Sequence, residues 1–312
     1  MKYVIETKNL TKKYGKLTAV NGVNLQIKEG EIFGFLGPNG AGKTTTISML
    51  TTLVNPTSGT ALVAGYDFIK EAPKVRSVIG VVPQSFSLFS ELTAEENLWY
   101  IGKLYGMKES AIKERAAMLL KTVELSEHSK RVSGTFSGGM KQRLSVAAGL
   151  MSSPKILFMD EPTTGLDPQS RVALRDLTKQ LNKSGITIFY TTHDMEEADK
   201  LCDRIAIMDR GNIIALGTGS EIKSTLEDHK SIEIELDNAP NDILSDLRKL
   251  PFVKSAERSG RIINIKIKKA ENIFFRLSDF FSKRKQKVDE IKIIEPSLED
   301  VFIHLTKKDL RE

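Results

Sequence analysis

Near the N-terminus, apolar and polar positions alternate along the chain. In residues 22–27 the apolar side chains are Val23, Leu25 and Ile27, so they lie on one face of an extended segment. Such alternation is typical of antiparallel strands that bury one face and solvate the other. We therefore expect an antiparallel layer at the start of the chain. Its predicted strands are Tyr3–Glu6, Leu17–Val20 and Gly22–Ile27.

Further along, several apolar runs are continuous rather than alternating. The clearest are Lys155–Glu161 and Gly185–Thr192. An uninterrupted apolar run of this length is typical of a parallel strand that is buried on both faces. Such strands, separated by helical segments, predict an α/β core. The other predicted strands are Glu31–Leu36, Thr60–Gly65, Ser77–Gln84, Ile205–Met208 and Ile213–Leu216, with a hairpin turn at Asp209–Asn212.

Between about residues 88 and 150 the apolar positions take helical spacing. Thr93 and Glu96 form the pattern of a capping box at a helix start. After residue 108, Ile112, Ala116 and Leu119 recur at intervals of three and four. This segment predicts a helical insert within the α/β core. A further helix is predicted at Arg171–Leu181.

One glycine-rich loop fits the P-loop pattern of glycine, four residues, and then Gly-Lys-Ser/Thr, between a predicted strand and a predicted helix. Its residues are Gly37, Pro38, Asn39, Gly40, Ala41, Gly42, Lys43, Thr44 and Thr45. The glycines let successive N–H groups face a phosphate, and the helix N-terminus adds partial positive charge. Lys43 can reach the β- and γ-phosphates, and the hydroxyl of Thr44 can bind Mg²⁺. The loop therefore predicts binding of a nucleoside triphosphate with Mg²⁺.

A second helix start with glycines lies within Phe136–Arg143. Ser137 is suited to cap this helix, and the N–H groups of Gly138 and Gly139 can form an anion site. Taken alone, the segment also fits a simple Ser-Gly-Gly helix cap. Together with the P-loop, it gives the chain two helix N-termini that are suited to bind phosphate.

Two adjacent carboxylates, Asp160 and Glu161, end the apolar run that begins at Lys155. Ligands bind at the carboxyl ends of the strands in open α/β sheets, so both residues are candidates for the phosphate site. Neighbouring strand residues point to opposite faces, which predicts different roles for the two. We expect Asp160 to hold Mg²⁺, and Glu161 to act as the general base that polarises the attacking water.

Three further residues are candidates for the same site. Gln84 and His193 each follow an apolar strand. Gln84 is placed to sense the γ-phosphate, Mg²⁺ or the attacking water, and His193 to contact the γ-phosphate. Tyr14, in the predicted loop between the first two strands, offers a face for adenine. Taken singly, each of them also fits an ordinary packing or capping role.

From about residue 230 the pattern starts anew, in the order β-α-β-β-α-β of a ferredoxin-like arrangement. We therefore expect a nucleotide-binding domain over residues 1–220, with its helical insert at about 88–150, and a small accessory α+β domain over 230–312 without a catalytic constellation. The predicted elements of the second are Ser231–Leu236, Asp242–Leu250, Phe252–Ala256, Arg261–Ile267, Ala270–Phe281 and Val288–Ile294, then a helix starting near Ser297.

Composition narrows the function classes. Hydrophobic residues make up 40% of the chain and charged residues 28%, which is ordinary for a globular protein, and the net charge of +6 is modest for 312 residues. The single cysteine, Cys202, excludes an internal disulfide and a cysteine metal cluster. No apolar run approaches the ~18 residues of a spanning helix. If the chain acts at a membrane, another protein crosses it.

In their order and approximate spacing, these motifs resemble those of an ABC-type ATPase domain, over roughly residues 1–220. The Ser-Gly-Gly segment distinguishes this family from other P-loop proteins, although Phe136 and Met140 stand where the family usually has Leu and Gln. The resemblance implies ATP and Mg²⁺ as ligands. The implied roles are Tyr14 on adenine, Lys43 and Thr44 on phosphate and Mg²⁺, Gln84 in coupling to a partner, Asp160 near Mg²⁺, Glu161 as general base, Asp167 at the dimer contact and His193 at the γ-phosphate.

The same resemblance implies partners. In this family the Ser-Gly-Gly segment of one subunit faces the P-loop of another, with ATP between them, so a second ATPase subunit is required. We expect a homodimer, and a heterodimer stays open. An extension ending in Pro296–Phe302 resembles the ATP-binding subunits of drug and antibiotic exporters, nearest to the daunorubicin-resistance type. This implies a separately encoded integral membrane permease, a peripheral location on the cytoplasmic face of the cell membrane, and no specific nucleic-acid partner.

Two other classes of nucleotide-binding protein fit the sequence less well. A soluble ABC ATPase that remodels ribosomes or nucleic acid usually has tandem cassettes or a long coiled-coil insertion, and this sequence has neither. A GTPase switch needs an Asn-Lys-x-Asp motif to read its base, and Asn182–Gly185 does not match that motif.

Overall fold

The computed structural model describes residues 2–85, 87–226, 231–237, 240, 242–267 and 272–306. The described residues up to Thr218 form one compact unit, and those from Gly219 onward form a second. Each unit has a hydrophobic core of its own. Within the described part of the chain, no helix is both long enough and apolar enough to span a bilayer.

The first unit combines strands and helices throughout its length. Its strands are β1 (Tyr3–Tyr14), β2 (Leu17–Lys28), β3 (Ile32–Leu36), β4 (Ser58–Val63), β5 (Tyr66–Asp67), β6 (Ile79–Val82), β7 (Ile156–Asp160), β8 (Thr187–Thr192), β9 (Arg204–Asp209) and β10 (Asn212–Gly217). Its helices are α1 (Lys43–Leu50), α2 (Ala72–Val78), α3 (Ala94–Leu104), α4 (Glu109–Thr122), α5 (Gly138–Gly149), α6 (Pro168–Lys183) and α7 (Met195–Leu201).

A six-stranded sheet with the order β10-β9-β3-β8-β7-β6 forms the centre of this unit. β3 pairs in parallel with both β8 and β9, and β7 pairs in parallel with β6 and β8. Every residue of β3, β7 and β8 is buried, as their continuous apolar runs predicted. The carboxyl ends of these strands therefore meet at one edge of the sheet.

The two faces of the central sheet pack against different layers. On one face, Phe33, Phe35, Phe158 and Phe189 form a ring cluster with centroid separations of 5.3 to 5.8 Å. This face belongs to the core shared with the antiparallel sheet, whose order is β2-β1-β4-β5. The opposite face belongs to the core that includes α3 to α6. The predicted α/β core with an antiparallel layer is confirmed.

The helical insert consists of α3, α4 and α5. Thr93 caps α3 as predicted, because its hydroxyl accepts from the N–H of Glu96 while the Glu96 carboxylate accepts from the N–H of Thr93. In α4 the apolar residues Ile112, Ala116 and Leu119 are buried. Spacing and capping together thus define both helices.

Three sequence predictions were wrong in detail. The segments Leu17–Val20 and Gly22–Ile27 form one strand, β2, because Gly22 absorbs a register shift with a φ of 60° instead of ending the strand. Tyr14 is the last residue of β1 and not part of a loop. Residues 77 and 78 close helix α2, where buried Val75 holds the helix in the core, so the strand that precedes Gln84 is only Ile79–Val82.

The second unit contains β11 (Ser231–Leu236), β12 (Val253–Ser259), β13 (Ile262–Ile267), β14 (Val288–Ile294), α8 (Gly219–Ser224), α9 (Ile243–Leu247), α10 (Ile273–Lys283) and α11 (Leu298–Thr306). Its antiparallel sheet has the order β12-β13-β11-β14. Leu277 and Phe281 of α10 pack with Ile232 and Ile234 of β11. From β11 to β14 the elements follow the predicted β-α-β-β-α-β order, and the predicted helix start at Ala270 lies outside the described residues.

Candidate functional site

The glycine-rich loop joins β3 to α1 at the carboxyl edge of the central sheet. A Cβ atom on Gly37 would lie 2.2 Å from the carbonyl oxygen of Met208 in β9. At Gly42, where φ is 112°, a Cβ atom would lie 2.3 Å from the carbonyl oxygen of Ala19 in β2. Only glycine fits at these two points of close approach. Helix α1 begins at Lys43, which places its free N–H groups and positive end at the loop.

Lys43 and Glu161 form a buried ion pair beneath this loop. Lys43 Nζ lies 2.9 Å from Glu161 Oε1, and the two side chains are only 4% and 6% exposed. The same ammonium donates to the carbonyl oxygens of Gly37 at 2.6 Å and Pro38 at 3.1 Å. Because both charges are buried, each depends on the other for compensation. The pair therefore links the P-loop directly to the end of β7.

Glu161 also contacts the other predicted catalytic residues. Its Oε2 lies 3.0 Å from His193 Nδ1, accepts from the hydroxyl of Thr164 at 3.2 Å, and is 3.5 Å from the amide nitrogen of Gln84. Burial by itself would raise the pKa of Glu161, but the hydrogen bond and charge of Lys43, with those of His193, hold the pKa below its usual value. The carboxylate is therefore ionised at neutral pH, as a general base must be.

Asp160 and Glu161 are both fixed by Thr191 in β8. The Thr191 hydroxyl donates to Asp160 Oδ1 at 2.6 Å and accepts from the N–H of Glu161 at 2.9 Å. Glu161 has a φ of 45°, so the chain turns out of the strand between the two acids. The sequence analysis did not identify Thr191, because a threonine in a buried strand has the usual residue type for a strand.

Glu197 in α7 is a second functional candidate that the sequence analysis missed. Its buried carboxylate accepts from the hydroxyls of Tyr190 at 3.0 Å, Thr163 at 2.9 Å and Thr192 at 3.0 Å. Thr163 follows the Glu161 turn and Thr192 precedes His193, so this carboxylate joins the two segments that carry the site. The signal available in the sequence was weak, since an acid near a helix start is common.

We expect the substitution Glu197→Gln to lower kcat for ATP hydrolysis by about tenfold, with little change in KM, because the site shifts while nucleotide contacts remain. The amide offers only one acceptor oxygen to three hydroxyls. Steady-state kinetics should be compared with Glu196→Gln, a neighbour on α7 whose exposed carboxylate pairs, among the described residues, with Lys200 alone. Equal kinetics in the two variants would contradict the positioning role.

The Ser-Gly-Gly segment and Asp167 lie together at two helix starts. Ser137 caps α5, its hydroxyl accepting from the N–H of Met140 at 3.3 Å, and Asp167 caps α6 through the N–H and hydroxyl of Ser170. A Cβ atom on Gly139 would lie 2.2 Å from the hydroxyl oxygen of Ser170. The two starts are thus packed closely. Among the described hydrogen bonds and ion pairs, none joins this segment to the P-loop.

Tyr14 and Thr44 are exposed. The ring of Tyr14 is 49% exposed, with Lys12 Nζ 5.0 Å from its centroid. Thr44 is the second residue of α1, and its side chain faces solvent. In the described part of the chain, no hydrogen bond joins either side chain to the cluster around Glu161. Both are therefore available to an incoming molecule.

The residues expected to bind Mg²⁺ supply suitable oxygen donors. They are the hydroxyl of Thr44, the amide oxygen of Gln84 and the carboxylate of Asp160. Mg²⁺ usually binds only one or two side-chain oxygens of this kind, and waters and substrate phosphates complete its coordination shell. The described residues contain no group of three or more His, Cys, Asp or Glu side chains that would hold a metal by themselves. This donor set fits a cation that binds together with a nucleotide.

Comparison with known proteins adds independent findings. The family model described as ABC transporter matches residues 20–164. The linearmycin resistance ATP-binding protein of Bacillus subtilis is 42% identical over 99% of this chain and 100% of its own length. The daunorubicin/doxorubicin resistance ATP-binding protein of Streptomyces peucetius is 46% identical over 71% of this chain and 67% of its own. A dimeric ATP-binding cassette with bound ADP and Pi is 32% identical over 69% of this chain and 98% of its own, with a TM-score of 0.62.

Proposed function

This chain belongs to the ABC transporter family of ATP-binding proteins, and from that premise we propose that it binds MgATP between two subunits and drives a separate membrane permease that exports drugs, antibiotics or related small molecules. It is an ATPase subunit of an exporter. The observation that carries the proposal is the cluster in which Lys43, Gln84 and His193 all contact the carboxylate of Glu161.

The chemistry follows from the charges in that cluster. When the γ-phosphate enters the P-loop, the ammonium of Lys43 exchanges Glu161 for phosphate oxygens. The freed carboxylate then accepts a proton from water while the water oxygen bonds to the γ-phosphorus and the bond to the β-phosphate oxygen breaks. His193 and Gln84 orient the γ-phosphate and the water. Thr44, Gln84 and Asp160 would hold Mg²⁺, which would supply positive charge to the phosphates when bound.

A second subunit completes the binding site of each ATP. Ser137, Gly138 and Gly139 present a helix N-terminus to the γ-phosphate held by the P-loop of the partner, and Asp167 lies at the contact between subunits. Two observations support this arrangement: the segment is not bonded to the P-loop of its own chain within the described residues, and Ser137 and Gly138 are exposed. A homodimer is proposed, with ATP binding shifting the equilibrium toward the closed state.

The permease is proposed to bind a groove of about 420 Å³ beside the Gln84 segment. Leu53, Leu104 and Tyr105 line it and are 72%, 68% and 47% exposed, an apolar patch suited to a partner. The hydroxyl of Ser145, also in the lining, is buried and has no partner among the described residues. Pro83 lines this groove and adjoins Gln84, which contacts Glu161. Binding of the permease in the groove would therefore alter the contacts of Glu161. On this proposal the chain is peripheral and lies on the cytoplasmic face of the membrane.

We expect Tyr14→Ala to weaken ATP binding by roughly tenfold, since stacking on adenine contributes about 1–3 kcal/mol. Binding of inorganic tripolyphosphate, which has no base, should not change. Calorimetric titration of both ligands tests this, with Tyr3→Ala, an exposed tyrosine at the other end of β1, as the matched control. An equal loss for both ligands would contradict stacking.

Purification from native membranes in detergent tests the exporter proposal. We expect a polytopic membrane protein to co-purify in stoichiometric amount, and to be lost with Leu104→Glu but retained with Leu216→Glu, an exposed position on β10 outside the groove. Recovery of the chain with ribosomal proteins or nucleic acid instead would favour the remodelling class and overturn the export proposal.

A further inference from the structure

One concavity outside the nucleotide site lies between α3 and α4. This α3–α4 cavity has a volume of about 830 Å³ and shares no lining residue with the groove proposed for the permease. Its size is that of a pocket for a drug-sized molecule. The floor is apolar and buried, formed by Ile112, Ala116 and Leu120 of α4. An aromatic wall on α3 is formed by Trp99 and Tyr100, which are 41% and 37% exposed.

This aromatic wall is held in place. The ring of Tyr100 packs edge-on against Phe89, with 4.7 Å between centroids. Trp99 has the ammonium of Lys103 5.0 Å from its ring centroid. An indole is the side chain that attracts cations most strongly through its π face. The wall therefore offers aromatic area to a ligand, and its indole already attracts one cation, the ammonium of Lys103.

The charges around the α3–α4 cavity are unequal. Glu95, Glu96 and Lys113 line it, and Lys103 lies beside Trp99. Both lysines are within ion-pair distance of one acid, Glu109, at 3.8 Å from Lys103 and 3.6 Å from Lys113. Glu95 has no ion-pair partner within the described ranges of the chain. Of the charged side chains in the lining itself, two are carboxylates and one is an ammonium, so the formal charge of the lining is negative.

Glu96, the residue next to Glu95, stays ionised. Its Oε2 accepts from the N–H and the hydroxyl of Thr93, at 2.8 and 2.7 Å. These hydrogen bonds, that from the N–H first, lower the pKa of Glu96. One carboxylate is thus fixed by the helix cap, and the other, Glu95, is free to meet a ligand. The lining resembles that of a site for a lipophilic cation: apolar floor, aromatic wall and acidic rim.

We propose that the α3–α4 cavity is a binding site for a lipophilic organic cation, which packs on Ile112, Ala116 and Trp99 and places its charge toward Glu95. The site is separate from the nucleotide site. The helices α3 and α4 lie in the chain between Gln84 and the Ser-Gly-Gly segment. A molecule bound in the cavity would therefore contact the helical insert. The proposal does not depend on the identity of the permease.

The chain provides its own reporter, because Trp99 is its single tryptophan. We would titrate the purified full-length protein with tetraphenylphosphonium and, separately, with tetraphenylborate, ions of nearly the same size and shape with opposite charge. The expected result is a saturable change of Trp99 fluorescence with the cation, and at least tenfold weaker binding of the anion. Equal binding of the two ions would indicate an apolar groove for a protein segment and would overturn the proposal. The absence of a saturable fluorescence change would overturn it as well.

Two pairs of variants locate the site. Ala117→Phe, at an exposed lining position of α4, should fill the mouth and abolish the fluorescence change, whereas Ala111→Phe, exposed on the same helix outside the lining, should bind as wild type. Glu95→Gln should weaken cation binding about fivefold and leave anion binding no weaker, with Glu91→Gln as its control. Unchanged cation binding in Ala117→Phe or in Glu95→Gln would place the ligand elsewhere and overturn the proposal.

Discussion

Substitution of Glu161 by glutamine is expected to reduce the rate of ATP hydrolysis by about 10³-fold, the scale on which general-base catalysis contributes. The amide keeps the size of the side chain but takes no proton from water. Binding of ATP should persist, because Lys43 is then free of its carboxylate partner and interacts with phosphate alone. We therefore expect an ATP-bound dimer that does not reopen.

Phosphate release and size-exclusion chromatography with MgATP measure both halves of this expectation. The dimer of the wild type should be short-lived during elution, and the dimer of the Glu161→Gln variant should persist. Thermal unfolding with MgATP bound, when phosphate replaces the carboxylate beside Lys43, provides the control, since a variant that then melts far below the wild type would lose activity for another reason. Steady-state hydrolysis at the wild-type rate would eliminate Glu161 as the general base.

Lys43→Ala is expected to abolish productive ATP binding and also to destabilise the nucleotide-free protein. Removal of the ammonium leaves the 6%-exposed Glu161 without its main cation, and breaking a buried pair in this way costs about 3 kcal/mol. The double variant Lys43→Ala/Glu161→Gln should regain part of that stability while remaining unable to bind ATP. Retention of the full hydrolysis rate in Lys43→Ala would contradict the P-loop role.

Chemical denaturation of the four proteins in this cycle isolates the coupling between the two side chains. The pH dependence gives a second measure. Because the pKa of Glu161 is lowered in the folded state, its contribution is present at neutral pH and is lost as the pH falls through that lowered value. Glu161→Gln should remove this part of the acid sensitivity. If the wild type and Glu161→Gln lose the same free energy of unfolding as the pH falls, Glu161 does not contribute to the acid sensitivity.

The sequence located this site well where a side chain meets a rigid strand end. Glu161 and His193 end continuous apolar runs, and such runs become neighbouring parallel strands, so their proximity follows from the pattern. Gln84 was located for a partly wrong reason, since the first two residues of its predicted strand belong to α2 and the strand ends at Val82. Its contact with Glu161 depends on the loop after Val82, which strand periodicity does not describe.

What the sequence could not indicate are contacts between residues of unremarkable type. Thr191 and Glu197 have the side chains of any strand and any helix start. Their roles appear only when distant segments meet, Thr191 at Asp160 and Glu197 at Thr163 and Thr192. Likewise, glycine at position 37 is required by the carbonyl of Met208, a residue far along the chain. Local propensity carries no record of such long-range neighbours.

The position of β3 in the central sheet has a consequence for biosynthesis. Its two hydrogen-bonded neighbours are β8 and β9, and each β3 residue pairs with a β8 residue about 150 positions later in the chain. At a translation rate of ~5–20 residues per second, the phosphate loop emerges from the ribosome roughly 10–30 s before its sheet exists. During that interval Phe33 and Phe35 lack their ring partner Phe189, and β3 lacks both of its hydrogen-bonded neighbours, which marks this strand as a segment that a nascent-chain chaperone would bind.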